Sequence, residues 1–272
     1  MRLVSWNVQW CRGVDGRVDP ARIAAELRRI ADPELACLQE LACGFTDLPA
    51  SRGEDQPEAL ARELPQCEPV FGWGVDVPGA GGARKRFGNM ILSRLPVGRV
   101  LRHSLPWPAS ADEPSMPRVA VEAIVRAPFG HVRVVTTHLE YYSAEHRAAQ
   151  VARLAQLDLE WRAEREQAED EGPFRPQPAT ASTILCGDFN LPPADPLHRR
   201  ILDIGFVDAW EALHPGVPHP ATFRVHQRDA DESPYCCDFV FVTPDLAPRL
   251  ASICIDGENQ ASDHQPLVLE FK

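Results

Sequence analysis

Side chains that can bind cations or transfer protons stand at the ends of apolar runs in this 272-residue sequence. They are Asn7, Glu40, His138, Asp188, Asn190, Asp263 and His264. Strand ends and the loops that follow them are where α/β folds build binding and catalytic sites. One polar residue in such a place would mean little, but the repetition predicts that these side chains lie together in one site.

Each of these residues also has an ordinary structural interpretation. Glu40 on its own is more often a helix cap or turn residue than a ligand, and Asp263-His264 is more often a loop pair than a catalytic one. Asp188 and Asn190 fall on one face of an extended segment with Phe189 turned away, which also fits an Asx turn. Taken singly, the residues leave catalytic and structural roles open.

The apolar runs predict the elements that would position these side chains. Short β-branched runs predict strands at residues 3–8, 35–39, 89–93, 118–125, 131–137, 183–186, 239–242, 253–255 and 267–271. Helices are predicted to begin at Asp19-Pro20 and Asp195-Pro196, and to span residues 57–64 and 143–167. Segments rich in glycine or proline predict loops at residues 78–82, 106–117 and 172–178.

Strands that alternate with helices in this way indicate the α/β class, with two packed sheets flanked by helices. The length suits one large domain, and we expect residues 1–272 to form a single domain. No apolar run approaches the roughly 20 residues needed to cross a bilayer, and the N-terminal residues lack a secretion-signal pattern. The sequence therefore predicts a cytoplasmic protein without stable membrane association, and leaves its oligomeric state undetermined.

The net charge of −11 argues against a protein that binds long nucleic acid through a broad basic surface. The basic run Arg84-Lys85-Arg86 could meet a phosphate backbone, but such a run is more often a solvated loop. We expect the eight cysteines to be reduced thiols. Cys37, Cys186 and Cys254 lie in apolar runs, where a thiol behaves as a small hydrophobic group.

The order of eight short motifs resembles the endonuclease/exonuclease/phosphatase superfamily, which has the DNase I-like fold. The motifs are Trp6-Asn7-Val8, Leu38-Gln39-Glu40, Gly88-Asn89-Met90-Ile91-Leu92-Ser93, Thr137-His138-Leu139, Gly187-Asp188-Phe189-Asn190, Thr222-Phe223, Asp238-Phe239-Val240-Phe241 and Ser262-Asp263-His264. Each is weak alone, but eight in the family's order across nearly the whole chain are not expected by chance. The resemblance implies a four-layer α/β sandwich, in which two mixed β-sheets pack together and helices flank them.

The resemblance also implies roles for the acidic and amide side chains. Glu40, assisted by Asn7 and Asp263, would hold Mg²⁺, with Mn²⁺ as an alternative. Such a cation prefers carboxylate and phosphate oxygens, and offsets charge that develops on phosphorus and on the leaving oxygen. Asp188 would orient or deprotonate the attacking water, and Asn190 would hydrogen-bond the phosphate or the nucleophile.

Further roles are implied for the basic side chains and their partners. His264, held by Asp238, would act as a base or as a stabiliser of negative charge, because a carboxylate fixes the imidazole tautomer. His138 would donate a hydrogen bond to a phosphoryl oxygen. Asn89 and Arg118 occupy positions where the family often keeps polar or basic residues, and we expect them to bind substrate.

Few residues bear on the choice of substrate. A histidine at the position of His138 resembles the DNase I, sphingomyelinase and deadenylase branches, whereas abasic-site endonucleases typically have tyrosine there. Cys236-Cys237-Asp238-Phe239 stands where inositol 5-phosphatases usually have Trp-Cys-Asp-Arg. We therefore expect a DNase I-like nuclease that cleaves phosphodiester bonds by activated water, with nucleic acid as a candidate partner. The alternatives are a phosphodiesterase or phosphatase for a small or lipid-linked phosphoester, in the manner of a sphingomyelinase, and a catalytically inactive binding module.

Overall fold

Two mixed β-sheets form the centre of the protein. The computed structural model describes residues 1–109, 114–166, 180–226 and 233–272. The strands in these ranges are β1 (Arg2–Asn7), β2 (Leu35–Cys43), β3 (Glu68–Pro78), β4 (Arg84–Ser93), β5 (Val97–Ser104), β6 (Val119–Ala127), β7 (Gly130–His138), β8 (Thr183–Asp188), β9 (Val207–Asp208), β10 (Asp238–Val242), β11 (Leu250–Ile255) and β12 (Leu267–Phe271). The first sheet has the order β11-β12-β1-β2-β4-β3, and the second has the order β5-β6-β7-β8-β10-β9.

Helices cover the outer face of each sheet. They are α1 (Pro20–Ile30), α2 (Gln56–Glu63), α3 (Ala144–Glu166) and α4 (Pro196–Asp203), while the short α5 (Ala209–Leu213) packs against the apolar cluster between the sheets. Ile23 and Leu27 of α1 pack on the first sheet, and Val151 and Leu154 of α3 pack on the second. A third apolar cluster joins the inner faces of the two sheets. The predicted four-layer α/β sandwich is therefore confirmed.

Local signals in the sequence account for most helix starts. The Asp19 side chain accepts a hydrogen bond from the Arg22 amide, and Pro20 occupies the first turn of α1. Asp195 caps α4 in the same way, as predicted. The helix predicted at 143–167 is observed as Ala144–Glu166, and its last predicted residue, like the loop predicted at 172–178, lies outside the described residues.

Strand β3 was not predicted, because Pro69, Gly72 and Gly74 interrupt its apolar pattern. The glycines have a packing role that the local sequence does not reveal. A Cβ at Gly72 would lie 2.5 Å from a Val121 side-chain carbon, and one at Gly74 would lie 2.5 Å from the Pro117 carbonyl oxygen. Residues without side chains thus allow β3 to approach the second sheet closely.

All eight cysteines are free thiols. Cys37 and Cys186 are buried between the two sheets, as expected. The expectation that Cys254 packs as a hydrophobic group is wrong, since its side chain is exposed. It lies on the edge strand β11, whose neighbouring Ile253 takes the buried face. In the ranges that the structure describes, no helix is both long enough and apolar enough to span a bilayer.

Candidate active site

Two parallel strand pairs, one from each sheet, end at the same edge of the molecule. β1 pairs with β2 as far as Asn7, opposite Gln39, and β7 pairs with β8 as far as His138, opposite Asp188. The Asn7 Nδ2 atom donates to Glu40 Oε1 at 3.1 Å and to Asp188 Oδ2 at 2.9 Å. This amide therefore links the carboxylates of the two sheets, and the predicted convergence of these residues is observed.

The backbone adopts unusual conformations where it presents these side chains. Glu40 has φ +61° and lies at a β-bulge, where the pairing of β2 with β4 shifts register between Leu38 and Leu41. Asn190 has φ +52°. Non-glycine residues with positive φ cost about 1 to 3 kcal/mol each and concentrate at functional sites. The bulge carries Glu40 out of the regular strand alternation and toward the Asp188 carboxylate.

A glycine is required where β7 and β8 meet. Gly187 has φ +138°, and a Cβ there would lie 1.9 Å from the Thr137 carbonyl oxygen. Beyond it, Asp188 and Asn190 both face the site, while Phe189 is buried in the cluster beneath α3. The Asn190 amide nitrogen Nδ2 donates to the Leu139 carbonyl at 2.8 Å, which fixes that side chain.

His264 is held in a hydrogen-bonded chain. Its Nδ1 atom lies 2.8 Å from Asp238 Oδ2, and Thr222 Oγ1 donates to the same oxygen at 2.6 Å. Its other ring nitrogen, Nε2, faces Asp188 Oδ2 at 3.6 Å. Trp6 Nε1 donates to the His264 carbonyl at 2.9 Å, so the backbone is anchored as well. The sequence-based pairing of His264 with Asp238 is present in the structure.

The carboxylates of the site carry charge that the protein does not fully neutralise. Burial, reinforced by Asp263, raises the pKa of Glu40 to about 7. Burial, reinforced by Asp238, raises the pKa of Asp188 to about 6, and burial also raises the pKa of Asp263. Opposing its burial, Asp238 and Asp188 raise the pKa of His264 to about 10. The site thus combines an imidazolium with repelling carboxylates that a bound cation would stabilise.

His138 is oriented by Arg118. The guanidinium Nη1 atom lies 3.0 Å from Nδ1 and 3.1 Å from Nε2 of the imidazole. Arg118 in turn forms an ion pair with Glu140, whose Oε2 atom lies 3.5 Å from Arg118 Nε. Burial, then the charges of Arg118 and His264, hold the pKa of His138 well below its usual range. His138 is therefore a neutral ring, 3.5 Å from Asp188 and able to donate a hydrogen bond.

The predicted site residues divide into three groups around a cavity of about 500 Å³. Those that line it are Glu40, Arg118, His138, Asp188, Asn190, Asp263 and His264. Asn7 and Asp238 are buried behind this layer and contact it through hydrogen bonds. Asn89 does not line the cavity: its amide Nδ2 donates to the Val119 carbonyl at 2.8 Å, which makes it a buried support beside Arg118.

The structure adds residues that the sequence did not single out. Gln9 lines the cavity, and its amide donates to Asp263 Oδ2. It begins a short 3-10 helix directly after β1, with φ +46°, so the strand alternation that places Asn7 did not predict it. The outer wall of the cavity is largely apolar and aromatic. It is formed by Trp10, Phe45, Leu48, Val75, Phe87, Met116, Tyr141, Tyr142 and Phe223.

The donor atoms suit a divalent cation. One oxygen of Glu40, one of Asp188 and a ring nitrogen of His138 lie within 4.8 Å of one another. Asp263 is not in this group, although it lines the same cavity. Two carboxylates with raised pKa values form a favourable site for a hard cation, because its charge removes their repulsion.

The sequence profile of the Endonuclease/Exonuclease/phosphatase family matches residues 4–264. No protein of curated function matches the chain significantly in sequence. Several solved structures share the fold. An endonuclease/exonuclease/phosphatase from Beutenbergia cavernae superposes with a TM-score of 0.74 at 24% identity, over 99% of this chain and 70% of that chain.

Two further structures with the same fold have named activities. The 3′ phosphatase NExo from Neisseria, bound to a product DNA hairpin, gives a TM-score of 0.63 at 20% identity, over 100% of this chain and 99% of that chain. A mannosyl-6-phosphatase from Bacteroides thetaiotaomicron gives 0.67 at 16% identity, over 100% and 99%. The family profile spans all the converging side chains, and this protein belongs to the endonuclease/exonuclease/phosphatase family of phosphoester hydrolases.

Proposed function

We propose that this protein is a Mg²⁺-dependent hydrolase of a small phosphoester that carries an apolar or aromatic group. The observation that carries the proposal is the composition of the cavity. Charged and polar catalytic side chains form its base, and rings such as Phe45, Phe87 and Tyr142 form its wall. Ligand sites commonly combine apolar walls with a few polar groups, and about 500 Å³ suits a small molecule.

The basic run near the site supports a small substrate. Arg84 Nε lies 2.7 Å from Asp76, and Lys85 Nζ lies 2.8 Å from Asp47. Arg86 Nε lies 3.5 Å from Asp76 as well. Each basic group thus has an acidic neighbour, which reduces the local positive potential available for a polynucleotide backbone. The net charge of −11 acts in the same direction.

In this proposal, polar residues at the base of the cavity act together in hydrolysis. Asp188 accepts a proton from water, whose oxygen bonds to phosphorus while the bond to the leaving oxygen breaks. A base with a pKa near 6 is ionised at neutral pH and still basic enough for this transfer. His264, held by Asp238, and neutral His138 donate hydrogen bonds to the phosphoryl oxygens as their charge increases. Asn190 orients the water or the phosphate.

Glu40 would hold the cation, with Asn7 orienting its carboxylate and Asp263 lining the same cavity. When bound, the cation supplies electrostatic stabilisation of the phosphoryl group and of the leaving oxygen. Mg²⁺ fits this oxygen-rich donor set, and Mn²⁺ tolerates the adjacent imidazole of His138.

A DNase I-like nuclease is the second candidate. The rings of Trp10, Tyr141 and Tyr142 line the same cavity, and aromatic rings stack on bases without strong sequence preference. Tyr142 is 57% exposed, so it is accessible to a base. The Neisseria relative with the same fold binds a DNA hairpin.

A substrate panel with Mg²⁺ or Mn²⁺ separates these candidates. It contains an aryl phosphodiester, a sugar phosphate, sphingomyelin, plasmid DNA and single-stranded RNA, and the Asp188→Asn variant controls for contaminating hydrolases. We expect the highest kcat/KM on an ester with an apolar or aromatic group. Faster turnover of plasmid or RNA would replace this proposal with the nuclease, and inactivity on every ester with both metals would contradict both.

A further inference from the structure

A second group of side chains that could ligate a metal lies outside the catalytic cavity. It consists of His198 in α4, Asp208 at the end of β9, Glu211 in α5 and His219 in the segment that follows. One potential ligand atom from each of the four lies within 4.8 Å of the others. None of the four lines the catalytic cavity. We call this group the α4–α5 cluster.

The two imidazoles of the α4–α5 cluster converge on one carboxylate oxygen. His198 Nε2 lies 2.9 Å from Asp208 Oδ2, and His219 Nε2 lies 3.0 Å from the same atom. Ligands around a tetrahedral Zn²⁺ with bonds of about 2.0 to 2.1 Å are roughly 3.3 Å apart. The two distances to Asp208 Oδ2 are shorter than this value, and the Glu211 ligand atom lies within 4.8 Å of the others, so the two rings and the Glu211 side chain would shift to accommodate the ion.

The ligand atoms are already oriented. The other carboxylate oxygen of Asp208, Oδ1, accepts hydrogen bonds from the backbone amides of Trp210 at 2.7 Å and Glu211 at 3.2 Å. The rings of His198 and His219 pack against Phe239, with ring centroids 4.9 and 5.4 Å apart respectively. In metal sites, contacts of this kind from surrounding residues hold the metal-binding side chains in place.

The charge of the α4–α5 cluster also favours a dication. Asp208 is 2% exposed, and Glu211 adds a second carboxylate at the accessible side. In the part of the chain that the structure describes, no lysine or arginine forms an ion pair with either residue. The hydrogen bonds of His198 and His219 oppose the burial of Asp208 and lower its pKa to about 2, so Asp208 is ionised. Together with Glu211 it supplies the two negative charges that one Zn²⁺ would balance.

We propose that His198, Asp208, Glu211 and His219 bind a structural Zn²⁺ ion that joins α4 to α5. The mixed nitrogen and oxygen donor set suits zinc, and four protein ligands leave no open position for catalysis. The site differs from the magnesium site in both location and ligand chemistry. Its occupancy stabilises the chain, and its loss leaves phosphoester hydrolysis intact below the unfolding temperature.

The experiment measures Zn²⁺ bound per chain by equilibrium dialysis and metal analysis after chelator treatment. The parent chain for this experiment carries the substitutions Glu40→Gln and Asp188→Asn, so that the catalytic carboxylates do not contribute to the measured Zn²⁺ binding. We expect one Zn²⁺ per chain, lost when either His219→Gln or Glu211→Gln is added. His214→Gln is the matched control, because His214 stacks on Trp210 beside the cluster without belonging to it, and it retains the ion.

Co²⁺ binding gives a second measurement. We expect strong visible absorption bands typical of tetrahedral coordination, present with His214→Gln and absent with His219→Gln. Glu211 is exposed, so Glu211→Gln tests the site without risk to the fold. If the parent chain binds no Zn²⁺, or if His219→Gln and Glu211→Gln bind it as the parent does, the α4–α5 cluster is only a hydrogen-bonded network and the proposal is wrong.

Discussion

The catalytic cavity and the far end of the second sheet both bury acidic groups, but they do so in opposite ways. At the far end, Glu122 on β6 accepts a hydrogen bond from Arg133 on β7 at 2.9 Å, and Arg133 also contacts Asp158 on α3 at 3.4 Å. Opposing burial, His103 and Arg133 lower the pKa of Glu122 to about 2. In the cavity, burial and like charge raise the pKa of Glu40 to about 7.

This difference separates structural from functional charge. An acidic group whose pKa is lowered has its charge compensated by the protein, and it stabilises the fold. An acidic group whose pKa is raised lacks a compensating positive charge, and its ionised form destabilises the fold. Such groups occur where a ligand or a reaction supplies that charge. The same chemical substitution, a carboxylate replaced by its amide, should therefore have opposite effects on stability in the two regions.

In the cavity, Asp188→Asn should cause the largest effect on activity. We expect turnover to fall about 10³-fold, because the proposed base is lost. Without divalent cations at pH 8, the free energy of unfolding should be equal or higher, since a carboxylate with a raised pKa is removed. Kinetics and urea unfolding measure the two quantities. An unimpaired Asp188→Asn enzyme would contradict the assignment of the base.

The substitution His264→Ala should lower turnover about 10²-fold, which the same kinetic measurement checks.

In the structural network, Glu122→Gln should lower the free energy of unfolding by about 3 kcal/mol, because Arg133 loses a buried charged partner. Turnover below the unfolding temperature should be unchanged, since Glu122 does not line the cavity. Urea unfolding at pH 7 measures the loss. An unchanged stability would show that Asp158 alone compensates Arg133.

The pH dependence of this stability difference follows from the pKa of Glu122, which is lowered from 4.5 to about 2. A lowered carboxyl pKa contributes stability that is fully present above pH 4.5 and is lost as the pH falls toward 2. The difference in unfolding free energy between the wild type and Glu122→Gln should therefore be constant above pH 5 and narrow below 4.5. A difference that widens with acid would reverse the assigned sign.

Binding of Mg²⁺ should give the smallest effect. At ten times its Kd, a cation that binds only the folded chain stabilises it by about 1.4 kcal/mol. We expect this increase in the wild type and in Glu122→Gln, and not in Glu40→Gln. Thermal unfolding with and without Mg²⁺ measures it. Equal stabilisation of Glu40→Gln would place the cation elsewhere.

The sequence revealed the side chains of the base of the cavity better than its walls. Strand ends and motif order predicted Glu40, Asp188 and His264, because Glu40 and Asp188 follow regular apolar runs and His264 precedes one. The contact of Arg118 with His138 depends on where the ends of β6 and β7 lie in the folded chain. The aromatic wall is formed by residues from segments that are far apart in the sequence. Neither has a local pattern, so only the folded chain shows them.

Strands β5 and β9 and helix α5 were missed for physical reasons of the same kind. β5 is partly exposed on both faces, so it lacks a clear apolar alternation. β9 has two residues and α5 has five, and both are stabilised by tertiary packing more than by local preference. The α4–α5 cluster therefore lay in a region where the sequence showed only one helix start.

Antiparallel pairing of β1 with β12 brings together residues from opposite ends of the polypeptide. Ser262 Oγ donates to the Asn7 carbonyl at 2.7 Å, so the two ends are joined within the catalytic machinery itself. A growing chain on the ribosome has no complete set of reacting groups until His264 has emerged and β12 has docked.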